Sequence, residues 1–229
     1  METNEESTER YYYHKRIANQ SWLLKHIEVL LEDAIANENV SHILYACLEC
    51  RNLLEKIEFE LLLMSTIKKE WPDLILKMKG KTGIQNANKE FKTLKYRLQT
   101  FSECISKISD LPVKAFDYRQ ADIIQRVLSE YVHIYTRTPE ELSFGSEFIQ
   151  VGIRKITETL RFVKSYFVKH GNSYNFGCLN FETLNGGKFL NEFRNWKSSV
   201  DTDTDALYGR LKTINDNFYE GSKARSTNN

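Results

Sequence analysis

Arg126 and His133 are the residues of this chain whose types and spacing could do chemistry together. A guanidinium presents paired donors that match a phosphate, and imidazole titrates near neutral pH, so the pair could hold a scissile phosphate and move a proton. Seven residues advance an α-helix by nearly two turns, which points both side chains the same way, roughly 10 Å apart along the axis. The periodicity predicts such a helix from Arg119 to Arg137. Arg119, Asp122, Arg126, Ser129, Glu130, His133 and Arg137 share a narrow polar sector, whereas Ile124, Val127, Leu128, Tyr131, Ile134 and Tyr135 fall outside it. Two readings of that stripe stay open. It is a site, or it is a solvated charge ladder in which Asp122, Arg126 and Glu130 pair at four-residue spacing for a few tenths of a kcal/mol each.

The elements around this stripe are expected to be helices, because apolar residues recur at three-to-four spacing and only three prolines and ten glycines occur. A first helix is predicted over about 6–36, with Ile17, Leu24, Ile27, Leu31 and Ile35 inward, ending at the polar break 37–39. A second, over about 41–70, is capped by Ser41. It carries Leu44, Cys47, Leu48, Leu54, Ile57, Leu61 and Leu62 over so wide an arc that it reads as a central helix. Trp71-Pro72 closes it. Within it Glu49 and Arg51 need partners. Glu55 is one, four residues on from Arg51; the sharper alternative is that Arg51 and Glu49 reach the helix carrying His133 and orient it.

A third helix is predicted over about 87–109, with Phe91, Leu94, Leu98, Phe101 and Ile105 inward. After the Arg119 helix, Thr138-Pro139-Glu140-Glu141 is a capping box that opens the next helix. That helix is re-set at Gly145-Ser146 and runs to Lys169 with Ile149, Ile153, Ile156, Leu160, Val163 and Phe167 buried. Residues 172–188, rich in Asn, Gly and aromatics, read as an irregular loop with a short hairpin near 174–181, and a last helix is expected over about 205–219. No internal repeat is present.

Three motifs invite chemistry that their details exclude. Cys47-Leu48-Glu49-Cys50 has the spacing of a zinc or redox half-site, but neither Cys104 nor Cys178 has a Cys or His partner close in sequence, so reduced, buried cysteines are expected. Gly80-Lys81-Thr82 resembles the end of a phosphate-binding loop, yet the first glycine of that motif would fall at Ile75 and no strand precedes it. Asp201, Asp203 and Asp205 open like a calcium loop, yet Ala206 stands where glycine is required and Lys212 where glutamate is. Those acids instead favour the start of the last helix. No metal and no cofactor are expected.

With 229 residues, 41% of them hydrophobic, 28% charged and a net charge of +1, the chain can bury a real core and feels no global pull toward nucleic acid or membrane. Residues 1–9 are acidic and polar without an apolar stretch, and no apolar run approaches the roughly 20 residues that span a bilayer, so a cytoplasmic protein is expected. A nucleic-acid surface would have to be local. Candidates are Arg119 and Arg137 beside the stripe, the face bearing Arg154, Arg161 and Lys164, and the interleaved aromatics and cations of residues 11–16.

The arginine, six residues and the histidine, followed by Ile134-Tyr135, resemble the R-x4-6-H and R-x4-H-x-Y signatures of the HEPN superfamily of all-helical ribonucleases and defence toxins. Many members carry a polar residue directly after the arginine; here it is Val127. The resemblance covers about residues 6–169. It implies an all-α, up-and-down bundle of about five helices over 1–170; residues 171–229 are expected from their own pattern to form a loop, a short C-terminal helix and a frayed tail packed on the same domain. It further implies metal-independent RNA cleavage at a composite homodimer interface, with His133 in proton transfer, Arg126 on the scissile phosphate, Glu130, Tyr135, Glu49 and Arg51 in support, and a neutralising partner protein. Two rival readings remain. One is a non-catalytic helical interaction or regulatory module of a larger complex, in which His133 is an ordinary surface residue; the other is a helical ligand-binding protein using the 172–188 loop.

Overall fold

The computed structural model describes the backbone of residues 20–64, 83–108, 114–170, 173–176, 187–197, 199 and 203–226, and side chains over 20–61, 94–108, 114–166, 187–197, 199 and 203–218. Among them are seven α-helices: α1 Gln20–Asn37, α2 Val40–Met64, α3 Gly83–Ile108, α4 Tyr118–Ser129, α5 Glu147–Lys164, α6 Lys188–Lys197 and α7 Thr204–Ser226. A single 3₁₀ turn covers Ile134–Thr136. The expected all-α class is the class observed, with one local departure. Strand β1, Phe167–His170, pairs antiparallel with β2, Ser173–Phe176, placing Phe167 opposite Phe176 and His170 opposite Ser173. This hairpin takes the residues assigned to the end of a helix reaching Lys169, and it begins ahead of the 174–181 turn expected there.

The chain divides into two compact units. One contains α1, α2 up to Phe59, α4, α5 and the hairpin, and within it α1 and α4 each pack on α5. The face α2 buries is a stripe rather than a wide arc: Ile43, Ala46, Cys47, Cys50, Leu53, Leu54 and Ile57 are fully buried, but Leu48 and Tyr45 are exposed. The α1–α2 joint is tight. Glu38 adopts a left-handed φ of 51°, and the Asn39 amide donates back to the Ala34 carbonyl at 3.0 Å, closing the end of α1. Across the joint the His42 ring bonds the Asp33 carboxylate. In α1, Leu23, Leu24, Ile27 and Ala34 are buried, whereas Ile35, expected inward, is exposed.

The other unit holds α3, α6 and α7, each packed on the other two. Its core joins Leu98, Phe101, Cys104 and Ile105 of α3 with Phe189, Leu190, Phe193 and Trp196 of α6 and Leu207 and Leu211 of α7. Phe101 meets Phe193 edge-on at 5.0 Å. Arg97 stacks on Trp196 at 4.5 Å and donates to the carbonyls of Trp196 and Ser199 at 2.7 and 2.9 Å, satisfying acceptors that the end of α6 leaves open. The C-terminal helices share this core with α3, α6 supplying four large apolar side chains at three-to-four spacing, where the sequence reading drew its division at residue 170.

In the first unit the tightest approach is at Gly152 of α5. A Cβ there would stand 2.8 Å from Cε1 and 3.2 Å from Cζ of Tyr131, and 3.3 Å from Cγ2 of Ile43. The Tyr131 hydroxyl donates to the Phe148 carbonyl at 2.8 Å, and its ring stacks on Phe148 at 4.4 Å and 16°. Gly152→Ala is expected to cost about 1–3 kcal/mol by overpacking, and Tyr131→Phe about 1 kcal/mol through the lost bond. Urea unfolding of both variants checks this; wild-type stability in Gly152→Ala would contradict the contact.

Candidate functional site

The helix that was to carry both Arg126 and His133 ends between them. It begins where the sequence puts it, with the Asp117 carboxylate accepting from the Gln120 amide at 3.0 Å, and it buries Tyr118, Ala121, Ile124 and Leu128. It stops at Ser129 rather than at Arg137. The amides of Glu130, Tyr131 and Val132 turn to carbonyls three residues back, tightening the last turn, and His133 leaves the helical region at φ −111°, ψ 56°. Just beyond the helix Tyr131 packs against Gly152.

The consequences for the stripe follow residue by residue. Arg126 lies in the last turn of α4, exposed and without a hydrogen bond or ion pair among the described residues, where its charge suits the negative end of the helix. It pairs with neither Asp122 nor Glu130, so the charge ladder does not form. His133 is exposed in the turn beyond, so the two groups do not share a helix face. Tyr135, which continuation of α4 would have turned inward, is instead 83% exposed, its ring edge-on to His133 at 6.2 Å. Glu49 and Arg51 do not orient the histidine. Arg51 Nε donates to Glu55 at 2.9 Å, and among the described residues no bond links either side chain to His133.

The candidate nucleic-acid residues are also distributed. Arg119 is exposed on α4; Arg154 and Arg161 are exposed on α5, and neither of the latter two forms an ion pair among the described residues. Lys164 is paired with Glu28. Arg137 is committed within its own surroundings, as the groove below shows. Residues 11–16, the phosphate-loop-like stretch before Gly83 and Cys178 lie outside the described residues, as does most of the 172–188 loop.

The structure brings Glu130 and Arg137 of the polar stripe together with the acids of the capping box and the start of α5. An open groove of about 530 Å³ lies in the first unit, between the end of α4 and the start of α5. Val127, Tyr131, Phe148 and Val151 form its apolar lining, and Glu130, Glu140, Glu141, Glu147 and Arg137 its charged one. Arg137 stands 4.3 Å over the Phe148 ring, donates to Glu141 at 2.9 Å and reaches Glu130 at 3.5 Å. The capping box is real: the Thr138 amide donates to Glu141 at 2.9 Å, and the Glu141 amide to the Thr138 hydroxyl at 3.3 Å. It closes only a turn, however, and α5 starts later, with Ser146 accepting from the Ile149 amide at 3.2 Å. The sequence signal for the groove was the run of acids at 140, 141 and 147 beside an aromatic at 148.

Electrostatics separate this groove from a phosphate site. The Thr138 amide and then the Arg137 guanidinium hold the Glu141 carboxyl below its ordinary range, and Glu140 is lowered by its own backbone amide and the Thr138 hydroxyl. Burial pushes the Tyr131 hydroxyl up. The thiols are inert: burial raises Cys47 to about 12, Cys50 is raised as well, and Cys104 is buried and free. No cluster of three metal-ligating side chains occurs among the described residues. At the calcium-like stretch the Asp203 carboxylate accepts from the Asp205 and Ala206 amides at 2.9 and 3.1 Å, capping α7. Among the described residues no helix is long and apolar enough to cross a membrane.

A lowered folded-state pKa stabilises above the unfolded carboxylate's value, about 4.3, and that contribution disappears as pH falls through the folded value. Glu141→Gln should therefore melt slightly below wild type at pH 7, with the difference closing toward pH 3; a gap that persists in acid would contradict the charged cap. Comparison with protein-family models, curated proteins and solved structures finds no match to this chain.

Proposed function

We propose that this chain is a non-catalytic helical interaction module, a binding or regulatory component of a multi-protein complex. The observation that carries the reading is the composition of the groove between α4 and α5, in which four carboxylates and an apolar lining surround one guanidinium that is already paired. A surface of that sign repels a phosphate backbone and suits a protein segment. Arg126 and His133 support it in the negative sense, since they stand on separate elements, both exposed, and neither lines the groove.

A second reading has one observation in its favour. His133, Tyr135 and Arg126 are all exposed, with the two rings edge to edge, which is what a HEPN-like endoribonuclease completed by a second copy would require of one subunit. In that reading RNA is the substrate, His133 moves the proton and Arg126 holds the phosphate.

The test incubates the protein and its His133→Ala variant with mixed RNA in EDTA. The module reading predicts no cleavage by either. Cleavage by wild type that falls about 10²- to 10⁴-fold in the variant would overturn it in favour of the nuclease.

A further inference from the structure

We infer that the groove between α4 and α5 docks an arginine side chain presented by an apolar-flanked segment of a protein partner; the inference rests on the interaction-module reading and names the chemistry of its partner. Shape gives the first argument. The lining contributed by Val127 and Val151 offers an apolar surface for a long aliphatic stem, and the groove is open enough to admit a side chain from outside.

The molecule's own Arg137 gives the second. Its guanidinium stacks on Phe148 and ends on Glu141 and Glu130, so this lining holds a planar cation by its face and its edge at once. Tyr131 stacks on Phe148 at 4.4 Å and Arg137 lies over the same ring at 4.3 Å. That ring already has two partners, and an arriving cation goes to the carboxylates.

Charge gives the third. Four glutamates line the groove against a single arginine, leaving three negative charges without a cation in it. Glu147 forms no hydrogen bond or ion pair among the described residues, and Glu130 shares Arg137 only at 3.5 Å while its side chain stays 59% exposed. The capping turn accounts for Glu141 and Glu140 and the positive start of α5 suits Glu147; neither gives a reason for the acid at 130 facing the same groove. The carboxylates are spread along the groove rather than converged on one point, which fits a guanidinium with five divergent donors better than a metal ion.

The test titrates isotope-labelled full-length protein with a capped peptide bearing one arginine between leucines, and with its citrulline twin, following backbone amide shifts. The arginine peptide should move the amides of Glu130, Phe148 and Val151. Citrulline should bind at least about tenfold more weakly, since it keeps the shape and loses the charge-assisted bonds. A Glu130→Gln, Glu147→Gln double variant, both positions exposed, should keep its spectrum and lose the response. Equal binding of the two peptides, shifts confined to other surfaces, or silence at millimolar peptide would each overturn the inference. Silence without RNA cleavage removes the arginine site alone, whereas His133-dependent cleavage removes the module reading on which it rests.

Discussion

Tyr131 and Gly152 cannot both keep ordinary side-chain clearance, and the region between α4 and α5 is arranged around that fact. The glycine lets the phenol ring approach to a distance no Cβ would tolerate, and the ring then stacks on Phe148 and bonds its carbonyl. The helix ends at Ser129, directly before this ring. Phe148 also carries Arg137 over its ring, and Arg137 in turn gathers Glu141 and Glu130. One steric opening thus sits beside an aromatic pair, a bound guanidinium and an acid-lined groove.

The end of α4 at Ser129 decides what the polar stripe becomes. Residues that a continuous helix would have lined up are divided among the last turn of α4, an exposed loop and a single 3₁₀ turn. Arg126 is left to the helix terminus, Glu130 to Arg137, and His133 and Tyr135 to each other at the surface. Cations and carboxylates that looked interleaved in sequence are sorted in space, with the carboxylates prevailing in the groove. That sorting sets the sign of the charge the groove presents.

What was legible in the sequence was local. Helix class follows from apolar spacing, and Thr138 and Glu141 form the capping box their positions suggest, although it closes a turn and not the start of a helix. Arg51 finds Glu55 four residues on, and Cys47, Cys50 and Cys104 are buried as expected. The end of α4 was not legible because the polar and apolar spacing within 119–137 runs on past Ser129, where the helix stops. The buried face of α2 was misread by a rotation: Leu44 and Leu48 stood for the stripe that Ile43, Ala46, Cys50 and Leu53 form, because an arc that wide does not say which side is covered. Helix α6 could have been found from Phe189, Leu190, Phe193 and Trp196, whose spacing is that of a short amphipathic helix.

The account rests on where α4 stops, and backbone carbon chemical shifts over 126–137 report that directly. Helical shifts should persist through Ser129, lapse across Tyr131 to His133 and return only for the turn at 134–136. An unbroken helical run from Arg119 to Arg137 would contradict it, restoring Arg126 and His133 to one face and emptying the notch over Gly152.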